Sequence, residues 1–182
     1  MNRQCVGGII PVLFLCGLAA AAGDPQKPAR DVPELAALSQ YVGNWDIDVT
    51  IKNSEHPQGA QTKGSSVGEW IHDGRFLRQT WSLAENNGLP AMNGSIIRTY
   101  DPRKMTYRSW TFDSAGFTEE SQGTWNAESR TMKWIVRDNL SGGSTVSEST
   151  FPEEGRETWS VVVKDDDGEI VADVQGKSTR KE

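Results

Sequence analysis

The chain has 182 residues, about the length of one ordinary domain. It carries 19 Lys and Arg against 25 Asp and Glu, and a formal charge of −6 excludes the clustered basic footprint that nucleic-acid binding requires. Hydrophobic residues at 36% and seven tryptophans exclude a disordered chain and supply enough apolar surface for a core.

Residues 1–22 read as a signal peptide. Arg3 gives a positive start, residues 6–18 are mostly apolar although Pro11 interrupts them, and Ala20-Ala21-Ala22 offers the small-x-small exit that signal peptidase cuts. The apolar run is shorter than the ~20 residues of a membrane span, so no stable span is expected after cleavage. The protein is expected to be exported, periplasmic or extracellular. Retention as an anchor lipidated at Cys16 is the competing reading, weakened because Leu15 stands where lipoprotein processing wants a small residue. Both cysteines, Cys5 and Cys16, fall in this segment. The mature chain then has no disulfide, thiolate nucleophile or cysteine metal site. With only two scattered imidazoles, His56 and His72, neither a metal nor a cofactor is expected.

Residues 23–31, with two prolines and alternating charge, read as a linker, and 32–182 as one domain. A short helix is predicted over 32–41. Asp31 is its cap, Glu34 completes a capping box, Pro33 sits in the first turn, and Leu35, Leu38 and Val42 form one stripe. Gly43 stops it. Everything beyond reads as strands. Trp45, Ile47, Val49 and Ile51 alternate with polar residues, a period of two. Asp73-Gly74 is a hairpin turn between 62–72 and 75–83. Further turn signals separate 92–100, 105–113, 117–125, 131–138, 144–151, 156–163 and 169–180. About ten short strands at regular spacing predict an all-β, antiparallel up-and-down meander. Closing it into a barrel removes two unpaired edges.

Gly43-Asn44-Trp45 at the start of the first strand resembles the Gly-x-Trp signature of calycins, the superfamily of lipocalins and fatty-acid-binding proteins. Asp73-Gly74-Arg75-Phe76-Leu77, Tyr100-Asp101-Pro102 with Tyr107 and Trp110, and Gly123-Thr124-Trp125 are similar to a bacterial calycin-like family of exported barrels of unknown function. The resemblance spans roughly 35 to 181. It implies a closed barrel with an interior cavity and no established reaction. It also implies that Trp45, beside Gly43, packs near the closed end under an arginine of the last strand, a role that falls to Arg180.

Catalytic motifs are weak. Gly64-Ser65-Ser66-Val67-Gly68 matches Gly-x-Ser-x-Gly, but its surroundings read as strand rather than a strand-to-helix elbow. Asp165-Asp166-Asp167-Gly168 lacks calcium-loop spacing and reads as a turn. No catalytic residue is assigned. The tryptophans lie on different predicted strands, where they either pack the core or line a cavity. Trp70, Gln79, Trp81, Trp110, Glu119, Trp134 and Glu148 are the ligand-binding candidates. The leading function is binding of a small apolar or amphipathic molecule inside the barrel. The alternatives are an enzyme using Glu119 or Glu148 as a desolvated acid or base, and a ligand-free interaction module. Oligomeric state is left open.

Overall fold

A computed structural model describes residues 27–86, 88–137 and 142–182. The signal-peptide segment and the start of the linker lie outside the described residues. Among the described residues no helix is long and apolar enough to cross a membrane.

The period-two pattern resolves into ten strands. These are β1 (Gly43–Asn53), β2 (Ala60–Ile71), β3 (Phe76–Leu83), β4 (Met92–Asp101), β5 (Thr106–Asp113), β6 (Thr118–Asn126), β7 (Thr131–Arg137), β8 (Ser144–Thr150), β9 (Arg156–Lys164) and β10 (Ile170–Arg180). Each is antiparallel to the next, and β10 returns to pair with β1, closing the barrel. At that seam Trp45 stands opposite Arg180 and Asn53 opposite Ala172. The expected antiparallel barrel with one short helix is therefore the fold, consistent with calycin-like architecture.

The helix differs in kind from the expectation. Pro33–Tyr41 is a 3₁₀ helix whose N-cap is Val32, and no side chain caps it. Its buried residues are Leu35, Leu38 and Tyr41, spaced by three. That is the repeat of a 3₁₀ helix and places all three on one edge, and the expected Val42 is buried as well, just past the helix end. Asp31 is drawn away from capping by Arg75, whose Nη2 lies 2.7 Å from its carboxylate, and this bond holds the Asp31 pKa below the usual carboxylate value.

The helix plugs the barrel end where β1 begins. Its three buried side chains join Trp70, Leu77, Tyr107, Met132, Trp134 and Phe151 in the main core. Tyr41 meets Phe151 edge-to-face at 5.0 Å, and the Tyr107 hydroxyl donates to the carbonyl of Glu34 at 2.8 Å. β2 passes close beneath the helix C-terminus. A Cβ at Gly68 would stand 2.0 Å from the Tyr41 carbonyl oxygen, so only glycine fits there.

Trp45 completes this end. It is 2% exposed, and its Nε1 donates to the Tyr41 carbonyl at 3.2 Å. The Arg180 guanidinium lies 4.8 Å from the ring and donates from Nη2 to the Gln40 carbonyl. Gly43, at φ +113, lets β1 pass beneath the Arg180 side chain, 3.2 Å from where a Cβ would stand.

Candidate functional site: the barrel interior

Above the plug the interior is hollow. A cavity of about 420 Å³ is lined by residues from every strand except β2, with two chemically distinct zones. Toward the mouth the walls are mostly apolar, with Trp81, Leu83, Ile96, Phe117, Val136 and Val161 among them, and are interrupted by Thr111, Glu119, Thr145 and Ser147 at the same level. At the plugged end lies a polar floor of Gln79, Arg98, Ser109, Ser121, Ser149, Glu157 and Ser178, all buried. In the register Arg98 stands opposite Ser109, which stands opposite Ser121, while Glu157 stands opposite Ser178. A larger, more open groove of about 710 Å³ runs over the outer surface of β8, β9, β10, β1 and β2, and Asp48, Lys63, Glu148 and Lys177 give it a solvated, polar lining.

Three interior tryptophans keep the cavity hollow by lying over cross-strand glycines. Trp81 is paired with Gly94, Trp134 with Gly123 and Trp159 with Gly176. A Cβ at these glycines would stand 2.6, 2.5 and 2.1 Å from the respective indole rings. Each ring thus occupies the space over bare backbone on the neighbouring strand instead of spanning the lumen. This is the sheet form of aromatic–glycine packing.

Arg98 is the main electrostatic feature. It is 7% exposed, and its Nη1 donates to Gln79 Oε1 at 2.6 Å. Gln79 in turn donates to Ser66 Oγ. Its guanidinium carbon lies 4.2 Å from the Tyr41 ring centroid and 5.7 Å from that of Trp134. Among the described residues no carboxylate comes within ion-pair distance of it, and Nε is buried without a hydrogen-bond partner, as are the Tyr41 hydroxyl and the Trp134 indole N–H. Burial lowers the Arg98 pKa against the influence of Tyr41 and Glu157, yet a guanidinium stays protonated in proteins.

Two carboxyl groups share the cavity. Burial raises the Glu157 pKa, opposed by hydrogen bonds from Ser178 and Ser149 and, least, by the charge of Arg98. Burial also raises Glu119, opposed by a hydrogen bond from Thr145. A carboxyl raised in the folded state carries no penalty below its unfolded pKa. It costs stability as pH climbs through the folded value, because the desolvated group must then ionise. Glu119→Gln is therefore expected to raise the melting temperature at about pH 8, with the gain shrinking toward about pH 4. Thermal scans across that range check it, and a variant less stable than wild type at the higher pH contradicts it.

The geometry brings together Gln79, Trp81, Glu119 and Trp134 of the sequence candidates. It separates the other three. Trp70 is buried in the core beneath the helix and does not line the cavity. Trp110 and Glu148 point outward, away from the cavity. On β5, Tyr107, Ser109 and Thr111 take the inward positions, so Trp110 faces out under Arg108, 4.9 Å away, and Arg108 binds Glu120. On β8, Thr145, Ser147 and Ser149 face in, and Glu148 pairs with Lys133 at 2.7 Å on the outer face.

Arg98, Glu157 and Trp159 are cavity residues that the sequence reading did not single out. Their signal was present as alternation, since Ile96-x-Arg98 and Glu157-x-Trp159-x-Val161 each place a charge in register with apolar neighbours. His72 sits in the turn at the plugged end, against Phe76. Among the described residues no group of three or more His, Cys, Asp or Glu is placed to hold a metal.

Solved structures similar to this barrel include the following two. The S-type phycobiliprotein lyase CPES from Guillardia theta superposes with a TM-score of 0.59 at 11% identity, over 84% of this chain and 94% of that one. Rv2717c from M. tuberculosis superposes with a TM-score of 0.63 at 12% identity, over 83% and 99%. At such identities the likeness is one of fold. Comparison with curated proteins gives no match. Residues 31–180, the whole barrel with its plug, match the family described as "Protein of unknown function (DUF1579)", and the chain belongs to that family.

Proposed function

We propose that the protein is an exported binding protein that holds a small, largely apolar molecule inside its barrel. The observation that carries this reading is the hollow interior, with mostly apolar walls above a polar floor. That division suits a molecule whose body is buried by exclusion of water and whose polar end is oriented by a few fixed groups. A ligand-free module has no need for a lumen kept open by three tryptophan–glycine pairs. An enzyme would have to use Glu119 or Glu157, whose side-chain partners are the hydroxyls of Thr145 and of Ser178 and Ser149. Among the described residues no histidine, cysteine or lysine lines the cavity beside them to serve as nucleophile or base. Export rests on the charged start, apolar middle and alanine exit of residues 1–22.

Titrating the mature protein with a panel of fatty acids, sterols and aromatic compounds is expected to change tryptophan fluorescence saturably for at least one class. Trp81→Phe and Trp159→Phe should each reduce that change. An intact fold with no saturable response anywhere in the panel overturns the binding reading. N-terminal sequencing of material collected outside the cytoplasm is expected to begin near Gly23, and an intact Met1 overturns the export reading.

A further inference from the structure

We infer that the molecule bound is a small planar aromatic acid, with its ring system against the indoles of Trp81 and Trp159 and its acid group on Arg98. This rests on the proposed binding function and narrows it to a ligand class.

Two independent observations carry the inference. The first is the floor. A buried guanidinium is costly unless it is paired and its donors are satisfied. Arg98 has one side-chain acceptor, Gln79, a ring face below it at 4.2 Å, and no ion pair among the described residues. Glu157 acts on it only at longer range. A planar carboxylate is the group whose geometry matches the unused edge of a guanidinium. The second observation is the wall. Trp81 and Trp159 lie over Gly94 and Gly176, so each indole lines the wall and does not block the lumen. Aromatic groups gain from offset or edge contacts beyond their buried area, a gain that an alkyl chain does not share. Trp81 lies two residues beyond Gln79 on β3, so it stands about 7 Å farther along the strand toward the mouth. A one- or two-ring body fits that interval with its acid group at the floor.

The test compares three probes of similar size on the mature protein. These are 2-naphthoate, 2-naphthalenemethanol and decanoate, with binding followed by calorimetry. Naphthoate is expected to bind about tenfold or more tighter than the alcohol, as a charge-assisted hydrogen bond allows, and also tighter than decanoate. In Arg98→Gln the preference for acid over alcohol should fall to near unity. Glu157→Gln removes the other acid that acts on Arg98 and should leave that preference intact or raise it, which keeps the inference testable should Arg98→Gln fail to fold. Equal affinity for acid and alcohol, or a preference that survives Arg98→Gln or falls in Glu157→Gln, overturns the acid assignment. Tighter binding of decanoate than of naphthoate overturns the aromatic assignment. Both of those outcomes leave the barrel a binding protein. Absence of binding by all three, together with a silent fluorescence panel, instead removes the function on which the inference rests.

Discussion

Replacing Trp45 by alanine is expected to lower the unfolding free energy by about 3–5 kcal/mol, the range for removing a large aromatic from a core. Against a typical total of about 5–15 kcal/mol, that is enough to leave the barrel marginal. The reason lies in what the indole does besides filling volume. It is 2% exposed, it satisfies the Tyr41 carbonyl at the end of the plug, and it is the surface on which the Arg180 guanidinium rests. The stacking contributes roughly 0.5–2 kcal/mol. Its loss leaves a partly buried cation whose Nε already lacks a partner. Urea unfolding followed by far-ultraviolet circular dichroism checks this, with the m-value expected to stay unchanged. A loss below about 1 kcal/mol would mean that the plug, not Trp45, holds the closed end.

The second large effect is on the lumen. Gly176→Ala is expected to abolish probe binding while leaving the barrel folded. The new Cβ would stand 2.1 Å from Cε2 of Trp159, and its other near neighbours are atoms of the same ring. The indole must therefore swing off the wall, and the space open to it is the cavity. Overpacking of this kind costs about 1–3 kcal/mol, which a closed barrel can bear. Gly94 is a poorer site for the experiment, because a Cβ there also stands 2.4 Å from the Phe112 carbonyl oxygen, and backbone cannot step aside. Pairing Gly176→Ala with Trp159→Leu should return part of the affinity by clearing the lumen again. Binding unchanged in the single variant would show that Trp159 does not border the occupied volume.

The strands were legible because turn chemistry punctuates them. The left-handed backbone at His72, Asp73 and Gly74 falls at the Asp-Gly signal, and β2 and β3 end and begin within a residue or two of it. Alternation likewise placed Trp81, Trp134 and Glu119 on the same faces as their apolar neighbours. Two things were less legible. A 3₁₀ helix and an α-helix share the spacing from Leu35 to Leu38, and Tyr41 and Val42 are both buried in the same core, so apolar spacing alone does not choose between the two helices. Which face of a strand turns inward is also undetermined when both faces are weakly apolar. On β5, Trp110 and Phe112 make the outer face look as much like core as Tyr107 and Thr111 do. The polar floor was hidden for the same reason. Buried serines and an arginine among strand residues look like a solvent face until the closed sheet places them together.

The seam between β1 and β10 has a kinetic consequence. Trp45 finds its partner Arg180 only after every intervening strand has been made, so the contact that closes the barrel spans almost the entire domain. Contacts of such sequence separation slow folding, because the entropy of a long loop is lost before the pairing returns any free energy. Hairpins can form early as the chain emerges, but the sheet keeps two raw edges until its last strand arrives. Shortening the chain before Gly176 should therefore leave an edge-exposed sheet prone to self-association, not a smaller barrel. A nascent chain held open in this way does not close its barrel until its C-terminal strand is released.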